Sequence, residues 1–180
     1  DMTGPYEVFI KFPGAGVHLV SHTLDAVTAN GGMRILPTAT YATCPQLDLV
    51  GVPGGAGMNA LLNDEPTLDF LRRQAKGARY VTSVCTGALV LGAAGLLKGR
   101  RAATHWMSRD LLARFGATPV AERVVIDGNV ITGGGVTAGI DFALRVAAEA
   151  FGEDAAKAIQ LGIEYDPHPP FAAGSPEGAG

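Results

Sequence analysis

Cys85 stands where a nucleophile would be presented. The run Ala78-Arg79-Tyr80-Val81-Thr82-Ser83-Val84 has the mostly apolar content of a short buried strand, and it breaks at Cys85-Thr86-Gly87. Ala88 through Gly95 then carries the small and aliphatic residues of a helix able to pack closely on a sheet. A thiol at such a strand-to-helix junction lies beside the first N–H groups of the helix, which favour negative charge on sulfur. The same pattern also suits a buried, inert cysteine, so local context leaves both readings open. Two further glycine-rich stretches end strand-like runs, Pro53-Gly54-Gly55-Ala56-Gly57 and Thr132-Gly133-Gly134-Gly135. In an open parallel sheet the carboxyl ends of the strands line the ligand crevice. Glycine there lets backbone N–H groups approach a reacting molecule, although tight turns alone account for some of these residues.

The elements that must position these stretches follow from the pattern. Apolar strand-like runs alternate with helical ones, which argues for an α/β fold with parallel strands and helices on both faces. Pro5 to Phe12 reads as a first helix, with Val17–Val20, Arg34–Leu36 and Leu47–Val52 as strands. Asp64-Glu65-Pro66 caps a helix that runs to Ala75 and closes near Gly77. After the elbow come a strand at Ala102–Thr104 and a helix from Ser108 to Phe115, ending at Gly116. A hairpin follows, Val124–Ile126 and Asn129–Thr132 about an Asp127-Gly128 turn. Helices from Thr137 to Phe151 and Glu153 to Glu164 precede an irregular tail, 166–180. No strand precedes the first helix, whereas a sheet of this type normally opens with one. A further strand ahead of Asp1 is therefore expected.

Composition narrows the possible classes. A chain of 180 residues reads as one domain, 1–180, with 47% hydrophobic and 17% charged residues, too apolar for disorder. A net charge of −3 and a pI near 5.8 leave no basic footprint for nucleic acid. No apolar run reaches the ~20 residues of a membrane helix. Two cysteines, Cys44 and Cys85, show neither metal spacing nor reason to pair, which fits a reducing, cytoplasmic setting. Cys44 reads as structural. His18, His22 and His168 have no evident partner, His105 reads as a helix-start residue beside a core Trp106, and Asp141 as a capping or packing carboxylate.

Several motifs occur together in a set order. They are Asp1-x-x-Gly4-Pro5, Val52-Pro53-Gly54-Gly55, Ser83-Val84-Cys85-Thr86-Gly87, Gly95-Leu96-Leu97-x-Gly99, Ala103-Thr104-His105-Trp106 and Thr132-Gly133-Gly134-Gly135-x-Thr137-Ala138-Gly139-Ile140-Asp141. As a set they resemble the PfpI superfamily, flavodoxin-like proteins related to class I glutamine amidotransferases. The resemblance implies a three-layer sandwich with a mostly parallel central sheet and a nucleophile elbow. Two branches share most of these motifs, the isocyanide (isonitrile) hydratases and the ligand-sensing domains of regulators with an AraC-type DNA-binding region. The ending Glu164-Tyr165-Asp166-Pro167-x-Pro169-Pro170-Phe171 resembles the hydratases.

By that resemblance Cys85 is the nucleophile, Asp1 moves protons and Thr86 hydrogen-bonds a water or the intermediate. Gly54 and Gly55 offer N–H groups to the substrate. Asp1 stands where many relatives carry glutamate. Thr86 replaces the histidine of protease-like relatives, which counts against peptidase chemistry, and the missing glutamate counts against a glyoxalase or deglycase. The expected substrate is a small isocyanide, with no metal or organic cofactor, no nucleic-acid or membrane partner, and a homodimer as the assembly. Val136 and Ile140 are expected to pack beneath the elbow helix.

Overall fold

The computed structural model describes residues 1–179, so Gly180, the last residue of the expected tail, lies outside the described residues. Helix α1 (Thr3–Phe9) begins earlier than Pro5 and stops short of the expected Phe12. Two small ladders follow: β1 (Val20–Ser21) and, after β2 (Val27–Thr28) and β3 (Arg34–Ile35), β4 (Ala39–Thr40). β1 runs parallel to β4, and β2 antiparallel to β3. The expected strand at Val17–Val20 is thus regular only at its last residue, because Leu19 gives its N–H to the Thr38 hydroxyl at 2.9 Å and its carbonyl takes Thr38 N–H at 2.7 Å and Ala39 N–H at 3.2 Å, outside the ladder register.

The main sheet begins with β5 (Leu49–Val52), followed by α2 (Met58–Leu61), α3 (Glu65–Gly77), β6 (Tyr80–Val84) and α4 (Gly87–Ala93). A minor parallel pair, β7 (Arg101–Ala102) and β8 (Thr118–Pro119), brackets a 3-10 helix over Trp106–Phe115. Then come β9 (Val124–Asp127), β10 (Val130–Gly133), α5 (Ala138–Phe151), α6 (Glu153–Gly162) and a short α7 (Pro176–Ala179) within the tail. The sheet order is β5-β6-β10-β9, with the first three parallel and β9 antiparallel to β10.

Strand periodicity sorts the side chains into two cores. Val50, Val52, Val81 and Val130 point into one, with Leu68, Leu71, Leu89 and Leu91 from α3 and α4. Val84 and Ile131 point into the other, with Val8 of α1, Phe142 and Val146 of α5 and Ile159 of α6. The result is a three-layer α/β sandwich of the flavodoxin-like kind. β5 is bonded to β6 along one side only; its other edge, within the described residues, borders a cavity of 2470 Å³.

Asp64 caps α3 as its sequence demands, accepting a hydrogen bond from Thr67 N–H at 3.1 Å. Its Oδ2 also takes the Thr67 hydroxyl and sits 2.8 Å from His22 Nε2. His22 therefore has a partner after all, one 42 residues away. The Thr67 hydroxyl first, then the Thr67 amide and His22, holds the Asp64 carboxyl below its ordinary value. A depressed carboxylate stabilises the fold above its unfolded pKa and loses that contribution as pH falls from about 4 toward the lower folded value. Asp64→Ala is expected to cost about 1 kcal/mol at neutral pH, read as a lower urea midpoint. The difference from the unmodified chain should shrink below pH 4.

Other expectations change. The segment after His105 is 3-10 rather than α-helical, and it starts at Trp106. Trp106 is 51% exposed, not a core residue, because the buried face of that segment is carried by Leu112. Val136 is likewise exposed and does not pack beneath the elbow helix, whereas Ile140 joins the α1–α5 side of the core.

Candidate active site

The elbow forms because one residue takes an unfavourable conformation. Cys85 has φ 56°, one of two non-glycine residues with positive φ among those described. Such a conformation costs about 1–2 kcal/mol for an L-residue, so its neighbours must hold it. Cys85 N–H donates to Gly134 O at 2.7 Å and Gly133 O at 3.1 Å. Its carbonyl accepts the Thr104 hydroxyl at 2.8 Å. Gly87 completes the turn, since a Cβ there would collide with the Val52 carbonyl. The absent side chain lets α4 begin directly against the end of β5.

The loop after β5 faces this elbow. Gly55 N–H donates to Thr86 Oγ1 at 3.1 Å, so this amide orients Thr86. A Cβ on Gly54 would lie 2.5 Å from Thr86 Oγ1, 2.6 Å from Thr86 N and 2.7 Å from Asp1 Oδ2. Thr86 and the Asp1 carboxylate therefore converge on the bare α-carbon of Gly54. Asp1 Oδ2 is buried with no hydrogen-bond partner among the described residues. A buried, unpaired carboxylate oxygen is costly and suits a group that exchanges protons with a bound molecule.

All five expected site residues, Asp1, Gly54, Gly55, Cys85 and Thr86, line the same cavity. Cys85 itself is only 6% exposed. His105 is on the rim; its Nδ1 accepts Met107 N–H at 3.3 Å, and its ring lies over Gly135. That local bond supports a structural role. Met107, Leu111 and Val136 make this end of the cavity apolar. Thr104 is the residue that sequence reasoning missed. It belongs to the Ala103-Thr104-His105-Trp106 motif, which gives it no role; what marks it is a hydroxyl in the apolar stretch Ala102-Ala103-Thr104, where a buried oxygen requires a partner.

A buried elbow cysteine, a facing glycine turn and a buried carboxylate on a flavodoxin-like sandwich define a class of cysteine-centred α/β proteins. The chain belongs to the DJ-1/PfpI family, whose sequence profile matches residues 1–149. It is 59% identical over 179 residues to an isonitrile hydratase of Pseudomonas putida, covering 99% of this chain and 78% of that protein. The transcriptional regulator GbdR of Pseudomonas aeruginosa is 33% identical over 151 residues, which are 81% of this chain but 41% of the regulator. Among solved structures, a ThiJ/PfpI family protein from Pseudomonas syringae superposes with a TM-score of 0.97 at 49% identity, covering 100% of this chain and 75% of that one. Drosophila melanogaster DJ-1beta superposes with a TM-score of 0.71 at 27% identity, covering 80% of this chain and 79% of that one.

Proposed function

We propose that the protein is an isocyanide hydratase, converting R–N≡C and water to the formamide R–NH–CHO. The observation that carries this reading is the convergence of Thr86 and the unpaired Asp1 carboxylate beside the Cys85 elbow, in a chain so similar to an isonitrile hydratase. The terminal carbon of an isocyanide bears a lone pair yet must accept a nucleophile, so attack requires protonation at that same carbon. Cys85 Sγ bonds to the carbon while the Asp1 carboxyl delivers the proton, leaving the thioimidate Cys–S–CH=N–R. Water adds across the C=N bond, placing hydroxyl on carbon and hydrogen on nitrogen. The hydroxyl proton then leaves as the C–S bond breaks, releasing the formamide and regenerating the thiolate. Asp1 accepts and returns these protons, and the Thr86 hydroxyl, held by Gly55 N–H, orients the water. The Gly54 amide polarises the intermediate. The apolar lining suits an uncharged substrate.

The regulator-like alternative has less support: its match covers under half of the regulator, while both thiol and carboxylate are present here. We place the enzyme in the cytoplasm as a homodimer. The two free cysteines support the first assignment and the exposed Trp106, Met107 and Val136 near the site mouth the second; light scattering reads the dimer directly. No helix among the described residues is long and apolar enough to cross a membrane.

The test is formamide formation from an aryl isocyanide, followed by absorbance. The unmodified protein should turn over, and its failure to do so would overturn the proposal. Asp1→Asn should reduce kcat by about 10²-fold, and unchanged turnover would remove Asp1 from the proton-transfer role.

A further inference from the structure

Arg123 grips the loop that holds Cys85 from two sides. Its main-chain carbonyl accepts Gly134 N–H at 2.9 Å. Its guanidinium reaches past the turn to donate to Asp141 Oδ2 at 2.7 Å and to Thr137 Oγ1 at 3.3 Å. Residues 134–141 are thereby stapled at both ends by one side chain and its own backbone. This is the stretch whose Gly134 carbonyl makes the 2.7 Å bond to Cys85 N–H. A third group closes the arrangement from the far end of the chain: Tyr165 donates its hydroxyl to the same Asp141 oxygen at 2.8 Å. Tyr165 is anchored in turn, because its carbonyl accepts Gln160 Nε2 at 3.0 Å at the end of α6. Burial first, and then the Asp141 carboxylate, raises the Tyr165 hydroxyl above its ordinary value, which keeps it a donor.

We infer that Arg123, Asp141 and Tyr165 are positioning residues for the nucleophile, fixing through the Gly133–Gly134 carbonyls the strained backbone of Cys85. None of them reaches the reacting atoms. As a surface ion pair the Arg123–Asp141 contact adds little stability, but it constrains a loop whose Gly134 carbonyl makes one of the three hydrogen bonds that hold the elbow at φ 56°. The consequence is directional. Cys85 is 6% exposed, so a linear isocyanide carbon meets its sulfur end-on with the elbow closed, whereas iodoacetamide, which must align its C–I bond with the sulfur, gains that approach as the elbow opens. Loosening the staple therefore speeds alkylation and slows catalysis.

The test measures, for Arg123→Ala, Arg123→Lys, Asp141→Asn and Tyr165→Phe, the iodoacetamide alkylation rate of Cys85 by intact mass, kcat and KM for an aryl isocyanide, and the melting temperature. The turnover arm rests on the hydratase reading; the alkylation arm does not. Arg123→Ala and Asp141→Asn should lower kcat about tenfold with KM little changed, a fraction of what an ångström of misplacement costs. Alkylation should accelerate by a similar factor, and Arg123→Lys should recover part of both effects. Tyr165→Phe, which removes one oxygen and threatens folding least, should shift both rates about threefold in the same directions. Alkylation and kcat both unchanged in folded variants would overturn the inference, as would a parallel fall in the two. If the unmodified protein turns over no isocyanide but its variants still alkylate faster, the positioning role stands and the hydratase reading alone fails.

Discussion

Cys85→Ala is expected to abolish formamide production, with a loss of about ten-thousand-fold or more. The substitution removes the only atom able to carry the thioimidate, and neither Thr86 nor Asp1 replaces it as a nucleophile for carbon. Stability should change little. Alanine keeps the Cβ, so the strain at φ 56° remains, and the three hydrogen bonds that hold the elbow all involve main-chain atoms of residue 85. A melting temperature near that of the unmodified chain, with turnover lost, separates chemistry from folding. Intact-mass analysis under turnover should show the substrate adduct on the unmodified chain alone. Residual turnover within tenfold of the unmodified rate would make Cys85 a bystander.

Gly54→Ala is the second large effect, and it needs no change in a titrating group. The new methyl would lie within 2.7 Å of three atoms, Thr86 Oγ1, Thr86 N and Asp1 Oδ2. Overpacking of this kind costs about 1–3 kcal/mol, and here the displaced atoms are the ones that handle water and protons. Turnover should fall on the order of 10²-fold, mainly in kcat. Alkylation of Cys85 should persist, because the elbow is held from the opposite side by Gly133, Gly134 and Thr104. Activity within twofold of the unmodified chain would mean that the β5 loop moves aside freely and that the convergence on Gly54 has no catalytic weight.

How much of this was legible in the sequence depends on how local each signal was. The α3 start at Asp64-Glu65-Pro66, the hairpin about Asp127-Gly128 and the Cys85 elbow each rest on a few adjacent residues with strong conformational preferences, and they formed where those residues placed them. The two-residue strands β4 and β8 are too short for any periodicity and exist only because β1 and β7, more than a dozen residues earlier, meet them. The residue type of Trp106 alone points to the core, and tertiary context puts it at the surface. The expected site residues do come together, but the motifs, matched as a set, pointed to them; spacing alone did not. The partners that hold them were not legible. His22 meets Asp64 over 42 residues, and Tyr165 meets Asp141 over 24, pairings that no local pattern records.

The fit of Gly87 against the Val52 carbonyl also bears on how the chain can change by mutation. Even a single methyl at residue 87 would collide with that oxygen, and because the obstacle is main chain, no rotamer change relieves it. Any substitution there parts the start of α4 from the end of β5. Variation around the cysteine is therefore channelled to residue 86, whose side chain faces the β5 loop, and away from residue 87.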